Sequence, residues 1–224
     1  MKTRIGIIGG VGPQASAHIY KKLIDECSKL GAVDSSDYPD LIIHSLPIPD
    51  FISDTSNMDD AFRMLQEAVN NFEAAGCKYY CIASNTVHLL QPKIKTKLKF
   101  ISIIDYVSSE ASKLGIKDVG IVCSPTLNNS DLYDKALGLN NVKLIKLNQT
   151  QILSIEEQIR SVISGSKIVL DGYKKVLKEL SLRTSNLILG CSELPLLNCY
   201  TSFDKVIDCD KILIENLVNL SMGS

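Results

Sequence analysis

Two short segments concentrate the side chains able to move protons or hold a carboxylate. Ser84-Asn85-Thr86 and Cys191-Ser192-Glu193 each follow an apolar run and one small residue, Ala83 or Gly190. In a strand-to-helix turn, such a triplet points backbone N–H groups outward and favours an anion. A carboxylate is a fitting ligand there, and a thiol is expected to have a lowered pKa. Cys191 would need that help, because a free thiol has a pKa of about 8.5. Most cysteines of a core-forming chain are small buried hydrophobes. Cys191 stands apart by following Leu187-Ile-Leu-Gly, by preceding Ser192 and Glu193, and by mirroring Ser84.

The other thiols give no such signal. Cysteines occur at 27, 77, 81, 123, 191, 199 and 209, an odd set with no Cys-x-x-Cys spacing and only three histidines beside it. A disulfide framework and a zinc site are both poor readings, and cytoplasm is the default compartment. Cys77 and Cys81 are expected on one face of a strand, as packing.

The elements that must carry these residues alternate. β-Rich runs fall at Arg4–Ile8, Asp40–Ser45, Tyr79–Ala83, Phe100–Ile104, Asp118–Cys123, Val142–Leu147, Asn186–Leu189 and Lys205–Ile207. Several are nearly all apolar, as for strands covered on both faces. Helical periods lie between them: Ala61, Met64, Leu65, Ala68, Val69 and Phe72, with Asp59 and Asp60 suited to the first turn; Ile155, Ile159, Val162 and Ile163; Val176, Leu177 and Leu180. The class is α/β with parallel sheets.

The two halves echo each other. Ile5-Gly-Ile-Ile-Gly matches Val119-Gly-Ile-Val-Cys, displaced by 114; Leu41-Ile-Ile-His-Ser resembles Lys143-Leu-Ile-Lys-Leu, displaced by 102. Cys81-Ile-Ala-Ser-Asn-Thr corresponds to Ile188-Leu-Gly-Cys-Ser-Glu at 107, and Ile103-Ile-Asp to Val206-Ile-Asp at 103. This order predicts a duplicated unit: residues 1–105 with a C-terminal helix at 209–224 as one α/β lobe, 106–208 as the other. Two such lobes are expected to bind a ligand in a cleft at their strand ends. At 224 residues, with 45% hydrophobic and 22% charged residues and net charge −1, the chain has a real core and no basic stripe. Nucleic acid is not an expected partner, and with no run of eighteen apolar residues neither is a membrane.

Gly9-Gly-Val-Gly-Pro, Ser84-Asn-Thr-Val-His and Gly190-Cys-Ser-Glu-Leu-Pro-Leu-Leu resemble the signatures of the aspartate/glutamate racemase family. The resemblance runs from the first strand to Val206-Ile-Asp. It implies a cofactor-independent amino-acid racemase of two α/β lobes, in which a cysteine from each lobe flanks the substrate Cα. One removes a proton and the other delivers one to the opposite face. The resemblance places this pair at Ser84 and Cys191. Asn85, Thr86, Ser192 and Thr126 then surround the amino and carboxylate groups, with Val11 in the first turn. It also implies a small-molecule amino acid as partner and a homodimer as a possible assembly.

The sequence departs from the family twice. Its first motif usually reads Cys-Asn-Thr, and a serine hydroxyl is a poor general acid or base unaided. Ser84 fits a natural one-thiol enzyme or an engineered replacement, and both stay open. His88, four residues on, could face Ser84 across a helical turn, although a capping or structural histidine is the commoner role. Aspartate-handling members carry an Arg after Ile-Pro-Asp and a Lys in the second half. Here Phe51 and Ile163 stand at those places, with Arg160, Lys167 or Arg63 as possible substitutes, so a neutral amino acid is expected over aspartate.

Gly10-Val-Gly-Pro-Gln-Ala15 formally fits a dinucleotide fingerprint, but Pro13 removes an N–H and Ser45 ends the second strand where a ribose-binding acid should be; a tight turn is the better reading. Asp105 and Asp208 are expected to end equivalent strands, as helix caps or groups near the site. Two alternatives remain on the same scaffold: a single-cysteine decarboxylase or isomerase, and a non-catalytic amino-acid-binding protein.

Overall fold

The apolar runs become strands and the 3.6-period stretches become helices in the computed structural model, which describes residues 2–49 and 52–222. In chain order the elements are β1 (Ile5–Gly9), α1 (Pro13–Lys29), β2 (Leu41–Ser45), α2 (Met58–Ala74), β3 (Tyr79–Ile82), β4 (Lys99–Ile101) and α3 (Ile103–Lys113). There follow β5 (Asp118–Cys123), α4 (Pro125–Asn129), α5 (Leu132–Leu139), β6 (Lys143–Ile145), α6 (Gln149–Ile163) and α7 (Asp171–Ser181). The last are β7 (Asn186–Gly190), β8 (Lys205–Asp208) and α8 (Cys209–Met222). Two compact units result: Met1–Asp50, Ser56–Ile103 and Asp210–Ser224 form the first, Phe51–Thr55 and Ile104–Cys209 the second.

Each unit holds one four-stranded, wholly parallel sheet, ordered β2-β1-β3-β4 in the first and β6-β5-β7-β8 in the second. The central strands explain their sequences. All five residues of β1 are buried, as covering on both faces requires. Gly6 and Gly120 occupy the same place in the two sheets and admit a helix onto the strand. A Cβ at Gly6 would lie 2.3 Å from the Phe72 ring of α2; one at Gly120 would lie 2.6 Å from Leu180 of α7. The helical periods bury the faces expected of them: Ala61, Leu65, Ala68, Val69 and Phe72 in α2, and Ile155, Ile159 and Val162 in α6. A reciprocal capping box starts α6, with Asn148 and Gln151 each accepting the other's backbone N–H.

Strand register corrects three details. Gly6 pairs with Ile42 and Gly120 with Ile145, so the second strands are displaced by 103 rather than 102. Cys81 pairs with Ile101 and Ile188 with Ile207, a displacement of 106 rather than 103. The expected strand through Ile104 therefore stops at Ile101. Asp105 lies in the first turn of α3 while Asp208 closes β8, so the two acids are not equivalent. Ile103 and Ile104 are apolar because α3 buries them, which a strand pattern cannot distinguish. Cys77 precedes β3, its N–H bonded to the Phe72 carbonyl; it is buried, but not on a strand face with Cys81. Among the described residues no helix is long and apolar enough to cross a membrane.

Candidate active site

Register puts the two polar triplets in equivalent places. Ile82 pairs with Ile8 two residues before Ser84, and Leu189 pairs with Val122 two residues before Cys191. Both triplets leave the carboxyl end of the third strand in its sheet, where open α/β sheets place ligand-binding turns. Both lead into 3-10 segments, Thr86–Lys93 and Leu194–Leu197, rather than α-helices.

In the first unit Ser84 and Asn85 are buried and Thr86 is half-buried. His88 is buried too, and its Nδ1 lies 2.8 Å from the Ser84 carbonyl oxygen. Its Nε2 accepts the Ile103 N–H at 3.2 Å, so Nδ1 carries the ring proton and donates it to that carbonyl. With its ring proton on the Ser84 backbone and its Nε2 lone pair on Ile103, His88 is the structural histidine, tying β3's exit to the start of α3. Val11 sits half-buried between β1 and α1. The adjoining Gly10 has φ +87°, and a Cβ there would meet the Leu46 nitrogen at 2.5 Å. Ser16 closes this turn, accepting the Gly10 N–H at 2.9 Å and donating to the Gly12 carbonyl at 3.0 Å.

In the second unit Gly190 brings the end of β7 against β5: a Cβ would lie 2.9 Å from Ile121 and 3.0 Å from Cys123. Cys191 follows, partly exposed, with buried Ser192 and Glu193 after it. Its Sγ donates to Glu193 Oε2 at 2.9 Å. The expected lowering of the thiol pKa is overturned. Burial pushes the Cys191 thiol well up, and the Glu193 carboxylate beside it adds to the rise. Burial also raises Glu193. The physical reason lies in the turn: its 3-10 segment has four residues and a correspondingly small dipole, and the sulfur faces a carboxylate instead of a cation.

Thr126, near the start of α4, uses both its N–H and its hydroxyl on the Ile52 carbonyl, at 2.9 and 2.8 Å. Its hydroxyl proton is engaged there, which leaves that oxygen able to accept. The same segment is fastened at Ser53, whose hydroxyl donates to Glu156 at 2.7 Å and accepts from Arg160 at 3.2 Å. Arg160 is itself paired with Glu156 at 2.8 Å, and Arg63 with Asp60. Lys167 is exposed, and Ile163 packs against the apolar core of this unit, as Cys191 and Ile52 do. Phe51 lies outside the described residues.

Sequence reasoning passed over two groups. Glu193 was visible as an acid two residues beyond Cys191, but its contact with the sulfur depends on the turn. Tyr200 and Tyr173 carried no signal, being aromatic residues in apolar surroundings; Tyr173 donates its hydroxyl to that of Tyr200 at 3.2 Å, and Tyr200 donates to the Leu194 carbonyl.

Two parallel sheets of one strand order, each ending its third strand in a polar triplet, make a duplicated α/β scaffold. The chain belongs to the Asp/Glu/Hydantoin racemase family, whose sequence model matches residues 8–216. It is thereby an isomerase of the amino-acid racemase class. Over 221 residues it is 24% identical to the broad specificity amino-acid racemase RacX of Bacillus subtilis (strain 168), covering 96% of each chain. Its structure is similar to that of the Picrophilus torridus aspartate racemase, with TM-score 0.85, 25% identity, and 99% and 94% of the two chains covered. It is also similar to an aspartate racemase homologue from Pyrococcus horikoshii OT3, with TM-score 0.77, 26% identity and 99% of each chain covered.

Proposed function

We propose that this chain acts on the Cα proton of an amino acid with a neutral side chain, with Cys191 as its thiol acid/base and Ser84 at the second acid/base position. The observation that carries this is the equivalent placement of Ser84 and Cys191 by register, combined with the Cys191–Glu193 hydrogen bond. Asn85, Thr86, Ser192 and Thr126 are the polar groups proposed for the substrate's ammonium and carboxylate, with Val11 beside the first turn. The pairing of Arg160 with Glu156 and of Arg63 with Asp60 supports a neutral side chain, because neither cation is left uncompensated.

The chemistry follows from where the protons rest. Racemisation breaks the Cα–H bond, leaves the electron pair delocalised into the substrate carboxylate, and forms a new bond to hydrogen on the opposite face. At neutral pH Cys191 is a thiol, so it is ready to donate to a carbanion. To act as base it must first give up that proton, and the Glu193 carboxylate, which accepts its hydrogen bond, is the acceptor at hand. Ser84 has no comparable acidity. Protons therefore exchange through the Cys191 side once its thiol ionises, while inversion waits on the hydroxyl side or on water.

The test is hydrogen–deuterium exchange at Cα in D₂O, with each enantiomer of several neutral amino acids and of aspartate, alongside chiral analysis and CO₂ capture. One enantiomer should exchange faster than it inverts, and exchange should climb as pH rises through the alkaline range, where the thiol ionises. Absence of exchange with every amino acid would defeat the racemase reading. CO₂ release would favour the single-cysteine decarboxylase, and tighter binding of aspartate than of any neutral amino acid would refute the side-chain assignment.

A further inference from the structure

The turn bearing Cys191 is held from beneath by two phenols. After Leu194–Leu197 the backbone reverses at Asn198, which takes the left-handed conformation with φ 48°. The reversal carries Tyr200 back to the start of the same turn, where its hydroxyl donates to the Leu194 carbonyl. That hydroxyl in turn accepts from Tyr173, a fully buried residue of α7, at 3.2 Å. Leu194 is a critical place to hold, because its own N–H closes the turn on the Cys191 carbonyl at 3.1 Å and it directly follows Glu193. Two hydroxyls donating in sequence to one carbonyl strengthen each other in a low-dielectric interior.

We infer that Tyr200 is a positioning residue for the Cys191–Glu193 pair, acting through the Leu194 carbonyl and supported by Tyr173. This rests on the assignment of Cys191 as the acid/base. A purely space-filling tyrosine would be satisfied by any carbonyl within reach. This one closes on the turn that carries the reactive sulfur, and the equivalent turn of the first unit has its own backbone anchor in His88, bonded to the Ser84 carbonyl. Without the hydroxyl of Tyr200, the Leu194 carbonyl and the Tyr173 hydroxyl each lose a partner, and the turn can relax. Glu193 then ceases to be held against the sulfur. Cys123, at the end of β5, and Tyr173 of α7 are further titratable groups facing Cys191, and Cys199 lies against the Tyr200 hydroxyl; Tyr200→Phe leaves all three side chains in place.

The experiment follows carboxamidomethylation of Cys191 against pH, read by mass spectrometry of its peptide, in the full chain and in Tyr200→Phe. Releasing the sulfur from the carboxylate eases ionisation, so the midpoint should move down by about one pH unit, roughly tenfold more thiolate at a fixed pH. Glu193→Gln should lower it by itself, and adding Tyr200→Phe to that variant should shift it little further, since both changes act on one pair. In the exchange assay, the pH at which kcat climbs should move down with the alkylation midpoint in Tyr200→Phe, with KM within about twofold. A Tyr200→Phe protein with a lower Tm but an unmoved profile and kcat would overturn the inference. So would an equal shift with and without Glu193. Should Tyr200→Phe not fold, Tyr173→Phe should give a smaller shift in the same direction, and an unmoved profile there would overturn it as well. Failure of all amino acids to exchange would remove the functional assignment, while the alkylation profiles would still decide whether Tyr200 acts on the pair.

Discussion

The turns after β3 and β7 occupy the same register in sheets of the same strand order, yet they hold their protons differently. At Ser84 the nearby titratable side chain, His88, turns its ring proton to the backbone and fixes the chain in place. At Cys191 the nearby titratable side chain, Glu193, faces the sulfur itself. One turn has a rigid frame around a weakly acidic hydroxyl. The other has a thiol and a carboxylate whose states depend on each other. Equivalent backbone positions thus need not hold equivalent environments; what lies two to four residues downstream decides whether a side chain is held or tuned.

The comparison breaks most sharply at Cys191. Cys191→Ala should reduce Cα exchange to background, a loss of up to about 10⁴-fold, because it removes the one thiol of the two triplets. Exchange matching that of the starting protein would mean that the Ser84 side does the chemistry. Next in size is Ser84→Cys, which should raise inversion by about 10²–10⁴-fold by giving both turns a group of tractable acidity. Its effect on stability should stay within about 1 kcal/mol, since one oxygen becomes sulfur in a turn that keeps its His88 anchor. Chiral analysis of both enantiomers, with the present chain as control, reads the gain. A folded variant that binds amino acid and shows no gain would sink the equivalence of the two turns. The smallest effect concerns the scaffold. Gly6→Ala and Gly120→Ala should each destabilise by about 1–3 kcal/mol through overpacking. Gly6→Ala should cost more, because a flat Phe72 ring yields less readily than the branched end of Leu180. Denaturant titration of both variants would measure the order, and the reverse order would show that α2 moves off its strand more easily than α7.

Much of this architecture was legible as pattern. The runs at Arg4–Ile8 and Asp118–Cys123 announced buried parallel strands, because strands covered on both faces must be apolar throughout. The α2 and α6 stripes were equally plain. Segment ends were harder: Ile103 and Ile104 continue the apolar run of β4 but belong to α3, and the displacement between halves drifts because loops differ in length. The positions of Ser84 and Cys191 could be read from the repeat. The acidity of Cys191 could not, since it depends on burial and on the direction in which Glu193 points, neither of which a spacing encodes. Tyr200 was hidden for a similar reason, its partners being a carbonyl and a residue 27 positions earlier.

The interrupted path of the first unit has a consequence for assembly. Its strands all lie before Ile103, but Asp210–Ser224 also belongs to it, on the far side of nearly the whole second unit. A chain growing on the ribosome therefore has every strand of the first sheet long before it has α8, which buries Leu213, Ile214, Leu217 and Val218. The second unit needs only residues already made by the time β8 appears. The first unit is therefore completed only when α8 is made, long after its own four strands.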